Sequence, residues 1–296
     1  MRVLNFGSLN LDYVYSVPHI VQPGETISAF GRDVFTGGKG LNQSIAMARA
    51  GVDVYHAGCI GPDGDSLVDM LRKEKVSTQY IRVVDAMSGH TVIQVNKEGQ
   101  NCIIVYGGAN RKITRAQVDS AISDFDKGDI LLLQNETNEI GYIMERAYEQ
   151  GMRIFFNPSP YDPESIPKLP LHTVSVFVVN EIEGADLFDV DSVDRVIDKA
   201  LEQFPKSTIL LTMGEEGSCF CDGKNKYEQK IFPVKALDTT AAGDTFLGYF
   251  IYGITKDEPM ETVLKRAAAA SAIAVSRNGA APSIPTLKEV EEWMKK

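Results

Sequence analysis

The stretch LDTTAAGDTF, residues 237–246, sets two carboxylates, Asp238 and Asp244, around small residues and a glycine. It then runs into the apolar TFLGYFIYGI, which predicts a helix beginning near Ala242. The first backbone N–H groups of a helix have no partner within it. Those of Ala242, Gly243 and Asp244 would converge on one point, and their small neighbours would let an anion approach the main chain. A carboxylate beside a bound phosphate is repelled, so Asp244 needs a task there. The task its chemistry offers is to take a proton from a hydroxyl attacking that phosphate. A carboxylate base with an N–H cradle suits phosphoryl transfer. Read alone, the same residues also suit a plain helix cap, because Asp is favoured at helix starts.

A second candidate is TGGKGLNQ, residues 36–43. Gly37, Gly38 and Gly40 permit close backbone approach, and Lys39 and Asn42 add polar groups ahead of a helix. Gly40 follows Lys39 where a Walker A loop needs Ser or Thr, and no GxGxxG follows the first strand. Both observations disfavour the common nucleotide-binding loops. The four cysteines (Cys59, Cys102, Cys219, Cys221) form no CxxC pair, and the four histidines (His19, His56, His90, His172) are scattered without metal-site spacing.

The elements that must position these residues are legible as alternating runs. RVLNF, VYHAGCI, DILLLQ, RIFFN, VSVFVVN and STILLTM read as buried strands. GLNQSIAMARAG, IGYIMERAYEQG and VDRVIDKALEQF read as helices between some of them. The pattern predicts an α/β fold with a largely parallel sheet and helices on both faces. Ligands then bind beyond the carboxyl ends of the strands, which draws attention to Asn10, Asp12, Glu136, Asn157, Asn180 and Thr212. Each of these could equally start a turn. MRVLNFGSLNLD reads as a strand. ETISAFGRDVFTGG and GHTVIQVNKEGQNCIIVYGG look β-like, the second as a hairpin turning near KEGQ. They could build a small projecting sheet, either an ordinary edge hairpin or a lid or dimer surface. VLKRAAAASAIAVSRNGAAPS reads as a small-residue helix ending at Asn278-Gly279, with Pro282 and Pro285 preventing continuation.

Bulk properties narrow the class. The 296 residues, 44% hydrophobic, are enough for one large α/β unit. No apolar run reaches the roughly 18–20 residues of a membrane span, and the N-terminus lacks the features of a signal peptide. The formal net charge of −10 argues against a nucleic-acid partner, though not against a local anion site. The cysteine usage suits a reduced cytoplasm. No internal repeat, low-complexity tract or interdomain linker is seen.

GGKGLNQ early and DTTAAGDTF late, in that order and separation, resemble the two signatures of the ribokinase-like carbohydrate kinases, the PfkB family. GSLNLD (7–12), PGET (23–26), NEIE (180–183), TMGEEG (212–217) and SRNGAAPS (276–283) extend the resemblance over essentially the whole chain. Leu41 stands where the sugar kinases of this family usually carry Ala. The resemblance implies one kinase domain over 1–296, a three-layer α/β/α sandwich with a mainly parallel central sheet. A small β-sheet lid would be formed by segments near 12–36 and 88–108. It also implies transfer of the ATP γ-phosphate to the primary hydroxyl of a small sugar, D-ribose to D-ribose 5-phosphate first. Another pentose, a fructose derivative or a nucleoside are the alternative substrates.

By the same resemblance Asp244 is the catalytic base, with Ala242 and Gly243 in the anion hole. Asn10, Asp12, Gly38, Lys39, Asn42 and Glu136 would hold the sugar. A site that hydrogen-bonds a hydroxyl rejects analogues lacking it, so the presence of both Asn10 and Asp12 favours ribose over 2-deoxyribose. Asn180, Thr212, Gly214, Gly217 and Gly243 would face ATP, and Glu183 would organise Mg²⁺ through water. Asp238, with Thr240, Ala274, Arg277, Gly279 and Ser283, would bind K⁺; the alternative is that Asp238 only fixes its loop. The β lid implies a homodimer. A non-catalytic sugar or nucleotide sensor on the same scaffold is the competing class, and the presence of both Asp244 and Gly243 favours the enzyme.

Overall fold

The computed structural model describes residues 1–295. In chain order the first half contains β1 (Val3–Phe6), β2 (Asn10–Ser16), β3 (Gly31–Gly37), α1 (Lys39–Ala50), β4 (Val54–Ile60), α2 (Asp65–Lys73) and β5 (Ser77–Val83). There follow β6 (Gly89–Val95), β7 (Asn101–Tyr106), α3 (Arg115–Ile122), β8 (Ile130–Gln134), α4 (Ile140–Gln150) and β9 (Arg153–Asn157). The second half adds β10 (Val176–Asn180), α5 (Glu181–Phe188), α6 (Val196–Gln203), β11 (Thr208–Thr212), β12 (Ser218–Cys221) and β13 (Lys226–Gln229). It closes with α7 (Ala242–Thr255), α8 (Met260–Val275) and α9 (Leu287–Trp293).

All six predicted apolar runs become strands of one nine-stranded sheet, ordered β13-β12-β11-β10-β9-β8-β1-β4-β5. Its pairings are parallel except for β11–β12 and β12–β13 at one edge. Side chains alternate across each strand and feed two cores. Val3, Ile130, Leu132 and Phe155 pack under α1, α2, α7, α8 and α9. Leu4, Phe6, Leu131, Leu133 and Phe156 pack under α3, α4, α5 and α6. The three-layer α/β/α sandwich is therefore the observed architecture.

Beside it stands a four-stranded sheet, β3-β2-β6-β7, in which β2 pairs antiparallel with β3 and parallel with β6. The β6–β7 hairpin turns at residues 96–100, where Asn96 N–H meets Gln100 O at 3.1 Å and Gly99 takes φ 80°. Val34, Phe35, Ile103, Ile104, Val105 and Tyr106 on its outer strands are exposed.

Three boundaries differ from the sequence expectation. MRVLNFGSLNLD is two strands in two sheets, not one, because the start of α1 crosses its middle: a Cβ on Gly7 would stand 2.5 Å from the Gly40 Cα. In ETISAFGRDVFTGG only Gly31–Gly37 is strand. The small-residue helix stops at Val275, before Asn278-Gly279, because its C-terminal carbonyl is claimed from outside. The Leu237 and Asp238 amides donate to Val275 O at 2.8 and 3.3 Å.

One packing contact sets the rest. Helices α1 and α7 cross where Gly248 meets Ala46, and a Cβ at Gly248 would stand only 2.4 Å from the Ala46 Cβ. That crossing lies one turn beyond Asp244 on α7 and one turn beyond Gln43 on α1, so the helix starts are held side by side.

Candidate functional site

The chain proceeds from β1 outward to β4 and β5 on one side, then returns to β8 on the other. In an open α/β sheet such a reversal leaves a crevice at the carboxyl ends of the strands. The loop after β1 supplies Ser8 and the loop after β8 supplies Glu136. Ser8 Oγ donates to Glu136 Oε2, the Lys39 amide donates to the same oxygen at 3.2 Å, and the Gly40 amide donates to Ser8 Oγ at 3.2 Å. Two strand ends and the start of α1 are thus joined at one carboxylate.

Asn10 and Asp12, expected after the first main-sheet strand, instead open β2 of the small sheet. Asn10 Oδ1 accepts from Asn110 Nδ2 at 2.8 Å, and Asp12 Oδ1 accepts from Thr91 Oγ1 at 2.6 Å. Gly37 lies flat against Asp12: an added Cβ would fall 1.9 Å from Oδ2. Burial raises the Asp12 carboxyl above its ordinary range; the Thr91 hydrogen bond opposes this and the Glu136 charge adds to it. Burial likewise raises Glu136, against the Ser8 hydrogen bond and the Lys39 charge. Burial pulls the Lys39 ammonium the other way, but the charges of Asp244, Glu183 and Glu136 prevail and raise it. The fold thus places the Lys39 cation under the influence of three carboxylates. Leu41 is fully buried in the apolar core.

Helix α7 begins at Ala242, as predicted. Ala241 before it takes the left-handed conformation, φ 59°, which costs a non-glycine residue on the order of 1 kcal/mol or more. The Ala242 amide is engaged by Thr239 O at 3.2 Å, while those of Gly243 and Asp244 have no acceptor among the described residues. The open donors are therefore two, and Ala242 serves as wall. Space in front of Gly243 is free, with nothing within 4 Å of an added Cβ. Asp244, 6% exposed, accepts from Gln43 Nε2 at Oδ1 (2.9 Å) and from Asn42 Nδ2 at Oδ2 (3.4 Å). Asn42 Oδ1 is buried and has no hydrogen-bond partner among the described residues.

On the other side of this helix start lies a cavity of about 680 Å³. Asn180, Thr212, Gly214, Gly217, Ala242 and Gly243 all line it, so every residue predicted to face a nucleotide meets in one place. Its apolar wall of Phe232, Val234, Ala272 and Val275 escaped sequence reading. Asn180 caps α5: its side chain accepts from the Glu183 amide at 2.8 Å, and Glu183 Oε2 accepts from the Asn180 amide at 3.2 Å. Glu183 Oε1 accepts no hydrogen bond among the described residues.

Asp238 clasps two loops. Its Oδ1 accepts from the Thr240 amide and its Oδ2 from the Gly279 amide, both at 2.9 Å. Burial opposes these bonds, and they nevertheless hold the carboxyl below its ordinary range. Of the predicted cation set, Thr240 and Gly279 are bonded to Asp238, Ala274 lies in the last turn of α8 next to Val275, whose carbonyl accepts from the Asp238 amide, and Arg277 and Ser283 lie in the segment that follows α8. The Arg277 guanidinium turns away to Glu289 at 2.7 Å, and Ser283 Oγ donates to Ala280 O at 2.8 Å. No group of three or more His, Cys, Asp or Glu suited to a metal occurs among the described residues. Nor is any helix there long and apolar enough to cross a membrane.

The pfkB family carbohydrate kinase pattern matches residues 2–287. The chain is similar to the ribokinase of Haemophilus influenzae, 34% identical with 97% of this chain and 96% of that one covered. It is similar in structure to the ribokinase of Thermotoga maritima, with a TM-score of 0.90, 32% identity and full coverage of both chains. It is also similar to Arabidopsis thaliana ribokinase complexed with ribose and ATP, with a TM-score of 0.87, 28% identity, and 100% and 99% of the two chains covered.

The open space before Gly243 makes a test. Gly243→Ala adds a methyl where nothing in the protein stands. Alanine is favoured over glycine in a helix by about 1 kcal/mol, so the urea midpoint should hold or rise. Calorimetric affinity for a nucleoside triphosphate should fall at the same time. Unchanged affinity would mean that no anion approaches this helix start.

Proposed function

The chain belongs to the pfkB family of carbohydrate kinases, and from that premise we propose that it transfers the γ-phosphate of ATP to the primary hydroxyl of D-ribose. The observation that carries this reading is the buried carboxylate of Asp244 at the open helix start, between a polar crevice and a cavity. The crevice offers Asn10, Asp12, Asn42 and Glu136, and sugar hydroxyls both donate and accept, as these groups require. The unpartnered Asn42 Oδ1 fits a sugar hydroxyl. Asn10 and Asp12 together favour ribose over its 2-deoxy analogue. ATP would occupy the cavity, its base against Phe232, Val234 and Val275 and its phosphates toward Gly243.

In this reading Asp244 takes the proton of the attacking hydroxyl, and the Gly243 and Asp244 amides receive the charge of the transferred phosphoryl group. Such transfer needs in-line positioning and charge stabilisation rather than a covalent enzyme intermediate. The Lys39 ammonium adds positive charge to the same place. Mg²⁺, which lowers the charge on the phosphates, would be held through water by Glu183, whose free Oε1 is a hard oxygen donor suited to it. K⁺ would be held by Asp238 with the carbonyls of Thr240, Ala274, Arg277 and Gly279, and by Ser283. The support for this is that Asp238 is bonded to the amides of Thr240 and Gly279, two residues of that set. The four-stranded sheet would act as a lid, and its exposed Phe35, Ile104 and Tyr106 would pair two copies as a homodimer.

The function is tested by ADP release with ATP, Mg²⁺ and K⁺ against ribose, 2-deoxyribose, fructose, fructose 6-phosphate and nucleosides. Preference for ribose is expected; preference for another member overturns the ribose assignment and keeps the reaction. Asp244→Asn should lower turnover by on the order of 10²–10⁴ with the fold intact, the usual worth of general-base help. Near-normal turnover would remove Asp244 as base. Asp238→Ala should weaken activation by K⁺ more than sugar binding, and an unchanged K⁺ response counts against the cation site. Sedimentation should show a dimer that Ile104→Glu dissociates, whereas a monomer at all concentrations excludes pairing through the lid.

A further inference from the structure

We propose that Gln43 is a positioning residue: its carboxamide holds the Asp244 carboxylate in place and ties it, through Asn157, to Glu183 on the nucleotide side. The inference rests on the reading of Asp244 as base. Gln43 is 1% exposed, and both ends of its amide are engaged by protein groups. Its Nε2 donates to Asp244 Oδ1 at 2.9 Å and to Asn157 Oδ1 at 3.3 Å. Asn157 Nδ2 donates in turn to Val178 O at 2.9 Å and to Glu183 Oε2 at 3.5 Å. Two amides in series therefore link the base to Glu183 of the α5 capping box, and it is the amide of Gln43 that touches the base.

The orientation of that amide is dictated from the far side. Gln43 Oε1 accepts from Gln134 Nε2 at 2.6 Å, and Gln134 Nε2 also donates to Asn5 Oδ1 at 2.9 Å. Asn5 Nδ2 donates to Ser44 Oγ at 2.9 Å and to Gly40 O at 2.8 Å. Ser44 Oγ meets His56 Nδ1 at 2.8 Å, and His56 Nε2 meets Gly7 O at 3.2 Å. A carbonyl only accepts, so His56 Nε2 carries its proton and Nδ1 accepts from Ser44. Each step then fixes the next, ending with Gln43 Nε2 turned to Asp244. Burial pushes the His56 imidazolium down to about 4, so the chain is neutral at pH 7 and does not compete for the proton Asp244 would take. His56, Asn5, Gln134 and Asn157 stand on the α1 side of the neighbouring strands β4, β1, β8 and β9. The polar belt is thus built into the sheet beneath the site. The charge of Asp244 acts on two further charged groups, Lys39 on α1, which it favours as a cation, and Glu136 after β8, whose carboxyl it raises.

A double-mutant cycle tests the proposal. Gln43→Leu should lower kcat by on the order of tenfold to hundredfold, as displacement of a catalytic group does, with a much smaller change in either KM. In an Asp244→Asn background the same change should cost little further, because residues that act as a unit are not additive. Equal fractional losses in both backgrounds would overturn the proposal. Asp244→Asn with near-normal turnover would instead overturn the base reading itself. Gln43→Glu keeps the volume and covers the event that Gln43→Leu does not fold. Two carboxylates in contact share a proton, so the acid limb of its kcat–pH profile should move to higher pH. An unmoved limb would show that Gln43 does not govern Asp244.

Discussion

A buried carboxylate at the start of α7 must be given donors, and the structure answers that demand by bringing α1 against it. Asp244 is nearly enclosed, and a buried charge is tolerated only when it is paired or hydrogen-bonded. Its own helix offers the favourable end of the macrodipole. The side-chain donors come from Asn42 and Gln43 on the neighbouring helix. They reach only because Gly248 and Ala46 let the two helices touch. Added volume at such a contact typically costs about 1–3 kcal/mol. Small residues one turn beyond the site therefore decide its geometry, though they touch no ligand.

The electrostatic arrangement follows from the same compression. Asp12, Glu136, Asp244 and Glu183 converge from a strand of the small sheet, a strand-end loop and two helix starts. Burial drives Asp12 and Glu136 upward, toward their neutral forms. It would drive Lys39 to its neutral form too, were the carboxylates not there to hold its charge. One cation thus serves several anions, and its removal would leave them facing one another without compensation. Lys39 is consequently a member of the site's charge balance as well as a link in its backbone.

Much of this was legible in the sequence because it is local. The six apolar runs announced their strands, and AAGDTF announced its helix start, since both signals lie within ten residues. Asn180, Thr212, Gly214, Gly217 and Gly243 line one cavity, from loops and helix starts far apart in the chain. What escaped was set by tertiary approach. The break of the first segment at Gly7 depends on α1 arriving there. Ser8, Thr91 and Asn110 orient the crevice residues from other elements, and no spacing in the chain reveals such partners. The buried belt did leave a trace: Asn5, His56, Gln134 and Asn157 are each a polar residue within or ending an apolar run. Without knowing which strands are neighbours, those four read as isolated oddities or turn starters.

The topology also separates two jobs. Asn10 and Asp12 are oriented by Asn110 and Thr91, which belong to the small sheet and the segment after it. Asp244 and Gln43 are oriented by the large sheet and its helices. The two groups meet across the crevice, where Ser8, Glu136 and Lys39 join them. In the proposed function, substitutions in the small sheet would therefore alter which hydroxyls are recognised without moving the base. Leu41 is fully buried in the apolar core on the α1 side of the large sheet, so its side chain acts through packing rather than on a sugar hydroxyl. In the proposed reading, sugar choice and proton transfer rest on different bodies of the same chain, which is how one scaffold can change its acceptor while keeping its chemistry.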